Sequence, residues 1–428
     1  MRKARLNNTA LVEPDGRVAG RGSNSVQLRH YNERVVLDSI RRLGQASKAE
    51  LARFAHLTPP AVATIVEALE QGGYVKGGGR RFGGKGQPSA MYELSPRGAY
   101  SIGLHIGRRA LDAVLLDFCG HPLAYESHDH DYPDPSVVRR IANATLQRFR
   151  KRLGQDATRL IGIGVSAPYF IGGWDHELGF PPEVGAEWRR IDIASDFLDS
   201  GGLPVQVEND CSAAAIAELV QGVGSRYQDF FHISLTTFIG AGLVLDGTLQ
   251  TGPHGNTAAF GPFPVAPSSL TSVAKPAGPF DVLLHRASIY TLVNHLRLGG
   301  VNITRVRDLD PMPQEAAKLF SEWQHDCAAA LAQAIIGAIA VVDVEAVVID
   351  GLLPRPLLLS TVAQIRGEFS RLLPGGLIVP EILPGSLGQR ASAVGASLLP
   401  IYSQFGPHKG VLMKKAREKK PLMIGSMF

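Results

Sequence analysis

Residues 104–117, LHIGRRALDAVLLD, alternate apolar and polar side chains up to Gly107 and resume the alternation after a short turn. This pattern predicts two antiparallel strands joined by a tight turn. Such a hairpin is typical of the start of a nucleotide-binding lobe, where small residues at the turn let the backbone approach phosphate. Here Arg108 and Arg109 follow the glycine. The stretch therefore predicts the fold but raises the question of whether a nucleotide is used at all.

The chain around this hairpin is long enough for two or three globular units, since it has 428 residues. Hydrophobic residues make up 45% and charged residues 19%, which excludes wholesale disorder. Residues from about 98 to 404 alternate β-rich and helical segments, as in an α/β protein. We predict a flexible basic arm at 1–30, a winged helix-turn-helix at 31–96, a two-lobed α/β domain at 97–404 and a basic tail at 405–428.

Cysteine usage and hydropathy favour a cytoplasmic protein. The three cysteines, Cys119, Cys211 and Cys327, fit neither a disulfide framework nor a CxxC metal site. The first residues lack the apolar segment of a secretory signal. The most apolar run, 327–342, contains Gln333 and is short for a membrane span. We therefore predict a buried helix there and no membrane segment.

Three short helices and a two-stranded ribbon are predicted between Asn32 and Leu94. Ser47 and Glu50 have the spacing of a capping box, which begins the second helix. Thr58 followed by proline begins the third. Two short helices joined by a tight turn match a helix-turn-helix whose second helix enters a major groove of DNA. The alternative is a small helical domain that binds protein.

The third helix and the ribbon tip carry the candidate DNA contacts. A glycine-rich tip with basic residues suits phosphate contacts or entry into a minor groove. Prolyl and alanyl side chains cannot hydrogen-bond to base edges, so direct readout rests on the threonines and the histidine, with the wing and DNA shape adding specificity. The candidates are His56, Thr58, Pro60, Ala61, Thr64, Arg80, Arg81 and Lys85.

Four stretches of the large domain, 104–117, 161–173, 207–222 and 234–261, follow one another in an order that resembles the ROK family of sugar kinases and sugar-responsive repressors. The resemblance spans about residues 32–400. It implies an actin-like, two-lobed ATPase-type fold with a cleft between the lobes.

Several residues depart from the active kinases of this family. Where these carry Asp-Ile-Gly-Gly-Thr, this chain has His105 to Arg109, and where they carry Gly-Thr-Gly-Ile-Gly it has Thr236 to Gly240, with Phe238 in place of a glycine. The resemblance assigns the general base to Asp210, which is retained. Phosphoryl transfer depends on positioning and charge stabilisation of the phosphoryl group. We therefore predict a degenerate scaffold that is not an enzyme and uses no cofactor.

The family's zinc site is also altered. Ala259 stands where the family has the glutamate that touches sugar, and Pro262 where it has a zinc-binding histidine. Residues 263–280 contain no cysteine. We predict no metal and a mobile loop at 262–280.

The candidate ligand-binding residues each have an alternative interpretation. The Asn209–Asp210 pair can bind sugar hydroxyls or only cap a helix, His254 can be an ordinary surface residue, and the arginines can be solvated or can bind an anionic effector such as a sugar phosphate. The candidates are Arg108, Asn209, Asp210, His254 and Asn256.

These observations together predict a sugar-responsive transcriptional regulator, a repressor, that binds a double-stranded DNA operator as a homodimer or homotetramer. The kinase-like domain would then sense a sugar or sugar derivative. The alternatives are an active sugar kinase with a DNA-binding head, and a DNA-binding oligomer without a ligand.

Overall fold

The computed structural model describes residues 25–81, 89–173, 178–195, 197–303 and 305–407. Of the described residues, Ser25–Gly98 and Tyr402–Pro407 belong to one unit, and those between Ala99 and Ile401 form the other. The first helix begins at Ser25. Residues 25–30 are therefore helical, which corrects the predicted arm at 1–30; the rest of that arm lies outside the described residues.

The first unit combines three helices with a small antiparallel sheet. The strand order is β1-β3-β2, and the three helices and two longer strands follow one another in the order that the sequence predicts for a winged helix-turn-helix. The elements are α1 (Ser25–Leu43), β1 (Ala46–Ser47), α2 (Lys48–Phe54), α3 (Pro59–Gln71), β2 (Val75–Arg81) and β3 (Ser89–Leu94).

The helix starts of this unit follow from local chemistry. The Ser47 side chain accepts from the Glu50 amide while Glu50 accepts from the Ser47 amide, which is the capping box that the sequence predicts. Pro59 stands at the first position of α3, where no amide is needed. Within the same unit, the Arg34 guanidinium of α1 donates to the Ser403 carbonyl at 2.9 Å, which joins the segment around Ser403 to the first helix.

The second unit contains two five-stranded sheets and the remaining helices. Its strands are β4 (Tyr100–Ile106), β5 (Ala110–Asp117), β6 (Pro122–Asp129), β7 (Leu160–Ala167), β8 (Val205–Asn209), β9 (Phe230–Leu235), β10 (Ile239–Leu245), β11 (Thr248–Gln250), β12 (Pro264–Val265), β13 (Asp281–Val282), β14 (Ala346–Gly351) and β15 (Glu381–Pro384). Its helices are α4 (Pro135–Leu153), α5 (Pro182–Trp188), α6 (Asp210–Gln221), α7 (Leu283–Ala287), α8 (Ile289–Leu298), α9 (Gln314–Ile339), α10 (Arg355–Leu372) and α11 (Ala391–Phe405), of which the residues up to Ile401 belong to this unit.

The two large sheets have the same topology. The first has the order β6-β5-β4-β7-β8 and the second β11-β10-β9-β14-β15. In each, three antiparallel strands are followed by two strands that add in parallel beside the first. The second unit is therefore built twice from one motif, as in an actin-like fold, although the sequence shows no tandem repeat.

Glycines allow α11 to pack closely on its neighbours. A Cβ atom at Gly164 of β7 would overlap the Ala396 carbonyl, and one at Gly395 would overlap the Ala213 carbonyl of α6. The sequence run around Gly395 predicts this close packing, because its residues are small.

The apolar run near residue 330 forms the second half of α9 and not a separate element. Cys327, Ala328 and Leu331 are fully buried, so this part of the chain is a core helix as predicted. Among the described residues, no helix is both long and apolar enough to cross a membrane.

Candidate functional site

A cleft with a volume of about 1070 Å³ opens in the second unit. The turn between β4 and β5, the start of α6 and the turn between β9 and β10 all line it. These are the same three segments at which the sequence departs from, or retains, the kinase pattern. The residues that differ from the kinase pattern therefore lie around this cleft.

Arg108 and Phe238, which replace two glycines of the kinase pattern, contact each other. The Arg108 guanidinium carbon lies 4.9 Å from the centre of the Phe238 ring, which is cation–π geometry. Arg108 also donates to the Phe170 carbonyl at 3.3 Å, and the Tyr290 ring packs edge-on at 5.6 Å from Phe238. Both side chains line the cleft, and each is held by a further partner.

Arg108 brings a positive charge into the cleft. Burial lowers the pKa of its guanidinium to about 10, while the charges of Asp210 and Cys211 act in the opposite direction. The group therefore stays protonated at neutral pH. The charge of Asp210 acts on this cation, so the two groups lie within electrostatic range of each other.

The β9–β10 turn uses its backbone for internal hydrogen bonds. The Thr236 hydroxyl donates to the Phe238 carbonyl at 2.6 Å. The carbonyls of Thr236 and Thr237 accept from the first amides of α8, those of Ile289 and Tyr290, at 3.0 Å each. The turn is thus fixed by its neighbours in the conformation that holds Phe238 against Arg108.

Asn209 and Asp210 lie at the start of α6 and both line the cleft. The Asn209 side-chain oxygen accepts from the amides of Cys211 at 2.9 Å and Ser212 at 3.3 Å, so Asn209 is the N-cap. An Asp210 carboxylate oxygen accepts from the Cys211 amide at 3.0 Å. Asn209 therefore does cap α6. A ligand in the cleft would meet the side-chain amide nitrogen of Asn209 and the second carboxylate oxygen of Asp210.

Of the two predicted ligand-binding residues beside Gly255, one lines the cleft and the other does not. Asn256 lines the cleft together with Ala259 and Pro262. His254 is exposed, its side chain is not part of the cleft lining, and its carbonyl accepts from the Tyr169 hydroxyl at 3.0 Å. The geometry thus favours Arg108, Asn209, Asp210 and Asn256 as a group over His254.

Two further arginines line the cleft, and the sequence analysis did not predict them. Arg305 and Arg307 come from a short 3-10 helical segment and meet Asp129 at 3.7 Å and 3.0 Å. Burial and the charge of Arg305 lower the pKa of Arg109. No motif marks Arg305 and Arg307, because they lie almost 200 residues after the hairpin that they approach.

The segment 262–280 is anchored, which corrects the predicted mobile loop. Ser268 donates its hydroxyl to Asp326 at 2.9 Å, and the Ser269 amide donates to the same carboxylate at 3.1 Å. Arg286 completes the cluster with an ion pair to Asp326 at 2.8 Å, and both side chains are buried. Burial raises the pKa of Asp326, but the hydrogen bonds and charge of Arg286 and the serine donors outweigh it, so the net pKa is lowered.

In the first unit, most of the candidate DNA contacts lie on the surface. His56, Thr58, Pro60, Thr64 and Arg80 are exposed and Ala61 is half-buried, while the opposite face of α3 packs in the core. The Thr64 hydroxyl donates to the Pro60 carbonyl at 3.1 Å, and Arg81 pairs with Glu50 at 2.8 Å. Lys85 lies outside the described residues.

Comparison with known proteins now gives the family. The model of the ROK family matches residues 101–402, which is the large unit almost end to end. The chain belongs to the ROK family. Its ROK domain carries both large sheets and the cleft.

Relatives include regulators and kinases. The uncharacterized protein y4fQ of Sinorhizobium fredii (strain NBRC 101917 / NGR234) is 28% identical over 87% of this chain and 91% of that protein. The xylose repressor of Bacillus spizizenii is 26% identical over 55% of this chain, and the match spans only 60% of the repressor. A glucokinase of Streptomyces coelicolor is 28% identical over 40% of this chain and 51% of the kinase.

A solved structure supports the fold of most of the chain. A ROK family transcriptional regulator, described as a homologue of the Escherichia coli MLC protein, superposes with a TM-score of 0.63. It is 17% identical and covers 90% of this chain and 99% of its own. At that identity the similarity concerns the fold.

Proposed function

We propose that this ROK protein is a sugar-responsive, DNA-binding transcriptional repressor whose cleft senses a ligand without phosphorylating it. One observation carries the proposal: an N-terminal unit of three helices and a small antiparallel sheet precedes a ROK domain in which Arg108 and Phe238 pack together, at positions where the resemblance to the family's kinases implies glycine. The repressors among its relatives point in the same direction.

The first unit supports the DNA-binding half of the proposal. Thr58, which directly precedes α3, and Thr64 within it are both exposed, and the Thr58 hydroxyl is not used to cap the helix. Hydroxyl groups at this end of a recognition helix reach base edges in a major groove. Arg80 of the proposed wing is exposed and can contact phosphate. Two copies of this unit, in a dimer or tetramer, would read a pseudo-palindromic operator.

The cleft supports the sensing half. Asp210 accepts hydrogen bonds and can bind sugar hydroxyls, while Arg108 favours a ligand that carries negative charge. A sugar phosphate or a sugar acid combines both features. Ligand binding can shift DNA affinity only by the difference in its affinity for the two states of the protein, which is typically 1–3 kcal/mol.

The test begins with selection of bound sites from random DNA, followed by fluorescence anisotropy with the selected duplex. We expect a two-fold symmetric site, and an affinity that changes roughly 5- to 150-fold with one member of a panel of neutral sugars, sugar phosphates and sugar acids. The Thr58→Ala/Thr64→Ala variant should lose discrimination between the selected and a scrambled duplex. Equal affinity of the wild type for both duplexes would refute DNA recognition.

The charge preference of the cleft has its own matched pair of variants. Arg108→Ala should weaken binding of an anionic effector, measured by calorimetry, while Arg297→Ala, whose guanidinium contacts only Asn294 among the described residues, should leave it unchanged. If Arg108→Ala binds every anion as the wild type does, the anionic effector is wrong.

A sugar kinase with a DNA-binding head is the second candidate, favoured by the retained Asp210 and by the kinase relatives. It requires sugar-dependent release of ADP that Asp210→Asn abolishes. A coupled assay with ATP, Mg²⁺ and the sugar panel measures this directly. We expect no turnover above the background without sugar.

A further inference from the structure

Three ionisable side chains form a buried cluster beside the cleft. Glu218 is 0%, His232 1% and Asp350 1% exposed. One ligand atom from each lies within 4.8 Å of the other two. No step in sensing or DNA binding uses these side chains, so their burial needs another explanation.

The fold brings the three together from distant positions. His232 on β9 is paired with Val348 on β14, and Asp350 lies two residues further along, so both side chains share one face of the sheet. Glu218 comes from α6, which packs on this sheet. His232 also lines the cleft, whereas Glu218 and Asp350 lie behind it.

Backbone donors hold the carboxylates but do not satisfy the whole cluster. Asp350 accepts from the amides of Gly351 at 2.9 Å, Leu387 at 3.1 Å and Gly388 at 2.7 Å. A carboxylate has about four lone-pair sites, so one remains for a further partner. One Glu218 oxygen, Oε1, accepts from the Ser386 amide at 2.7 Å.

Two buried atoms in the cluster have no hydrogen-bond partner within the described part of the chain, namely Glu218 Oε2 and His232 Nε2. The other ring nitrogen of His232 lies 3.3 Å from the Ser234 hydroxyl. A hydrogen bond at Nδ1 that fixes the ring and leaves Nε2 available is typical of metal-binding histidines. Buried polar atoms without partners are costly, and two carboxylates in the core also call for a compensating positive charge.

We propose that Glu218, His232 and Asp350 bind a divalent transition-metal ion, with His232 Nε2, Glu218 Oε2 and one Asp350 oxygen as ligands. One imidazole and two carboxylates suit Zn²⁺, Mn²⁺ or Co²⁺ and contain no thiolate. This site is separate from the one that the family resemblance places near residue 262, where the chain has Pro262. The ion neutralises both carboxylates and joins α6, β9 and β14.

The sequence gives no sign of this site, because its ligands are 14 and 118 residues apart and follow no short motif. An ion here would also fix the helix whose first turn presents Asp210 to the cleft. The site does not depend on the proposed function, since it can be measured without DNA or sugar.

The test uses the full chain, stripped with a chelator and incubated with Zn²⁺, Mn²⁺ or Co²⁺ alone, then desalted and analysed for metal content. We expect one ion per chain for at least one of the three metals. His232→Gln and Asp350→Asn should each weaken binding at least tenfold, with the fold checked by circular dichroism. The control is His121→Gln, which disrupts the partly exposed Asp117–Cys119–His121 cluster and should keep the ion.

X-ray absorption of the Co²⁺-loaded wild type provides a readout that does not depend on variants. One imidazole nitrogen, oxygen ligands and no sulfur are expected. Sulfur ligation, retention of no metal by the wild type, or loss of the ion in His121→Gln alone would each overturn the proposal. Retention of the ion at unchanged affinity by the folded His232→Gln and Asp350→Asn variants would overturn it as well.

Discussion

Arg108 and Phe238 show how two substitutions at the residue scale support each other. We propose that each alone would place a bulky group in the space that phosphate needs. Together they form a cation–π pair that is worth about 0.5–2 kcal/mol. Both replacements are visible in the sequence, because each residue stands where the kinases of the family have glycine. Their contact could not be predicted, since 130 positions separate them.

Glu50 contacts both Ser47 and Arg81 in the first unit. One conservative substitution affects only the contact with Arg81. Glu50→Gln keeps the capping box, because glutamine serves at the same helix position. It removes the ion pair with Arg81, whose nitrogen lies 2.8 Å from Glu50. We expect the free energy of unfolding to change by less than about 1 kcal/mol. DNA affinity should rise at low salt, because the arginine is released for phosphate. Urea unfolding and anisotropy measure the two effects.

Arg81→Gln provides the matching control for this prediction. In an Arg81→Gln background, Glu50→Gln should change DNA affinity little, as a double-mutant cycle requires when one residue acts through the other. An equal gain in both backgrounds would mean that the loss of one negative charge from the protein, and not the release of Arg81, raises the DNA affinity.

At the scale of elements, periodicity and capping predict the first unit well. Ser47, Thr58 and the apolar stripe of α3 act locally, so the sequence specifies the start of α2, the start of α3 and the buried face. The segment 262–280 is different. It carries no periodic pattern, and its fixed position depends on Asp326, which comes from a helix more than 45 residues later.

Asp326→Ala should destabilise the ROK domain by about 3–5 kcal/mol, because Arg286 would remain buried without its partner. The exposed pair Arg371–Glu368, at 2.6 Å, offers a control: Glu368→Ala should cost less than about 1 kcal/mol. Chemical unfolding followed by fluorescence measures both. Replacing both members of the buried pair by Met and Leu should recover part of the loss. A cost for Asp326→Ala no larger than that of the control would contradict the anchoring role.

The lowered pKa of Asp326 also gives this cluster a pH dependence. A carboxyl group whose pKa is lower in the folded state stabilises the fold fully above its unfolded value of about 3.9. This contribution is lost as the pH falls through the folded value. Melting temperatures of wild type and Asp326→Ala should therefore converge as the pH is lowered below about 4.

At the scale of the whole molecule, alternation of strands and helices predicts an α/β domain, and the order of four motifs predicts the ROK fold. The duplicated strand order was not predictable from self-similarity, since the two halves share topology and not sequence. Arg305 and Arg307 reach the cleft through that tertiary arrangement alone.

Asp210→Asn should separate sensing from DNA binding. The substitution removes a charged acceptor in the cleft and leaves the winged unit unchanged. We expect the effector to lose most of its influence on DNA affinity, while affinity without effector stays within about twofold of wild type. Anisotropy with and without effector measures both. Loss of DNA binding without effector would instead indicate that Asp210 supports the fold.

We propose that the Arg108–Phe238 pair occupies the space that a nucleoside triphosphate would need. Calorimetric titration of a non-hydrolysable ATP analogue with Mg²⁺ tests it most directly, with an Arg108→Gly/Phe238→Gly variant as the comparison. The wild type should show no saturable binding up to millimolar analogue, and the variant should bind more tightly than the wild type. Saturable, micromolar binding to the wild type would contradict the claim.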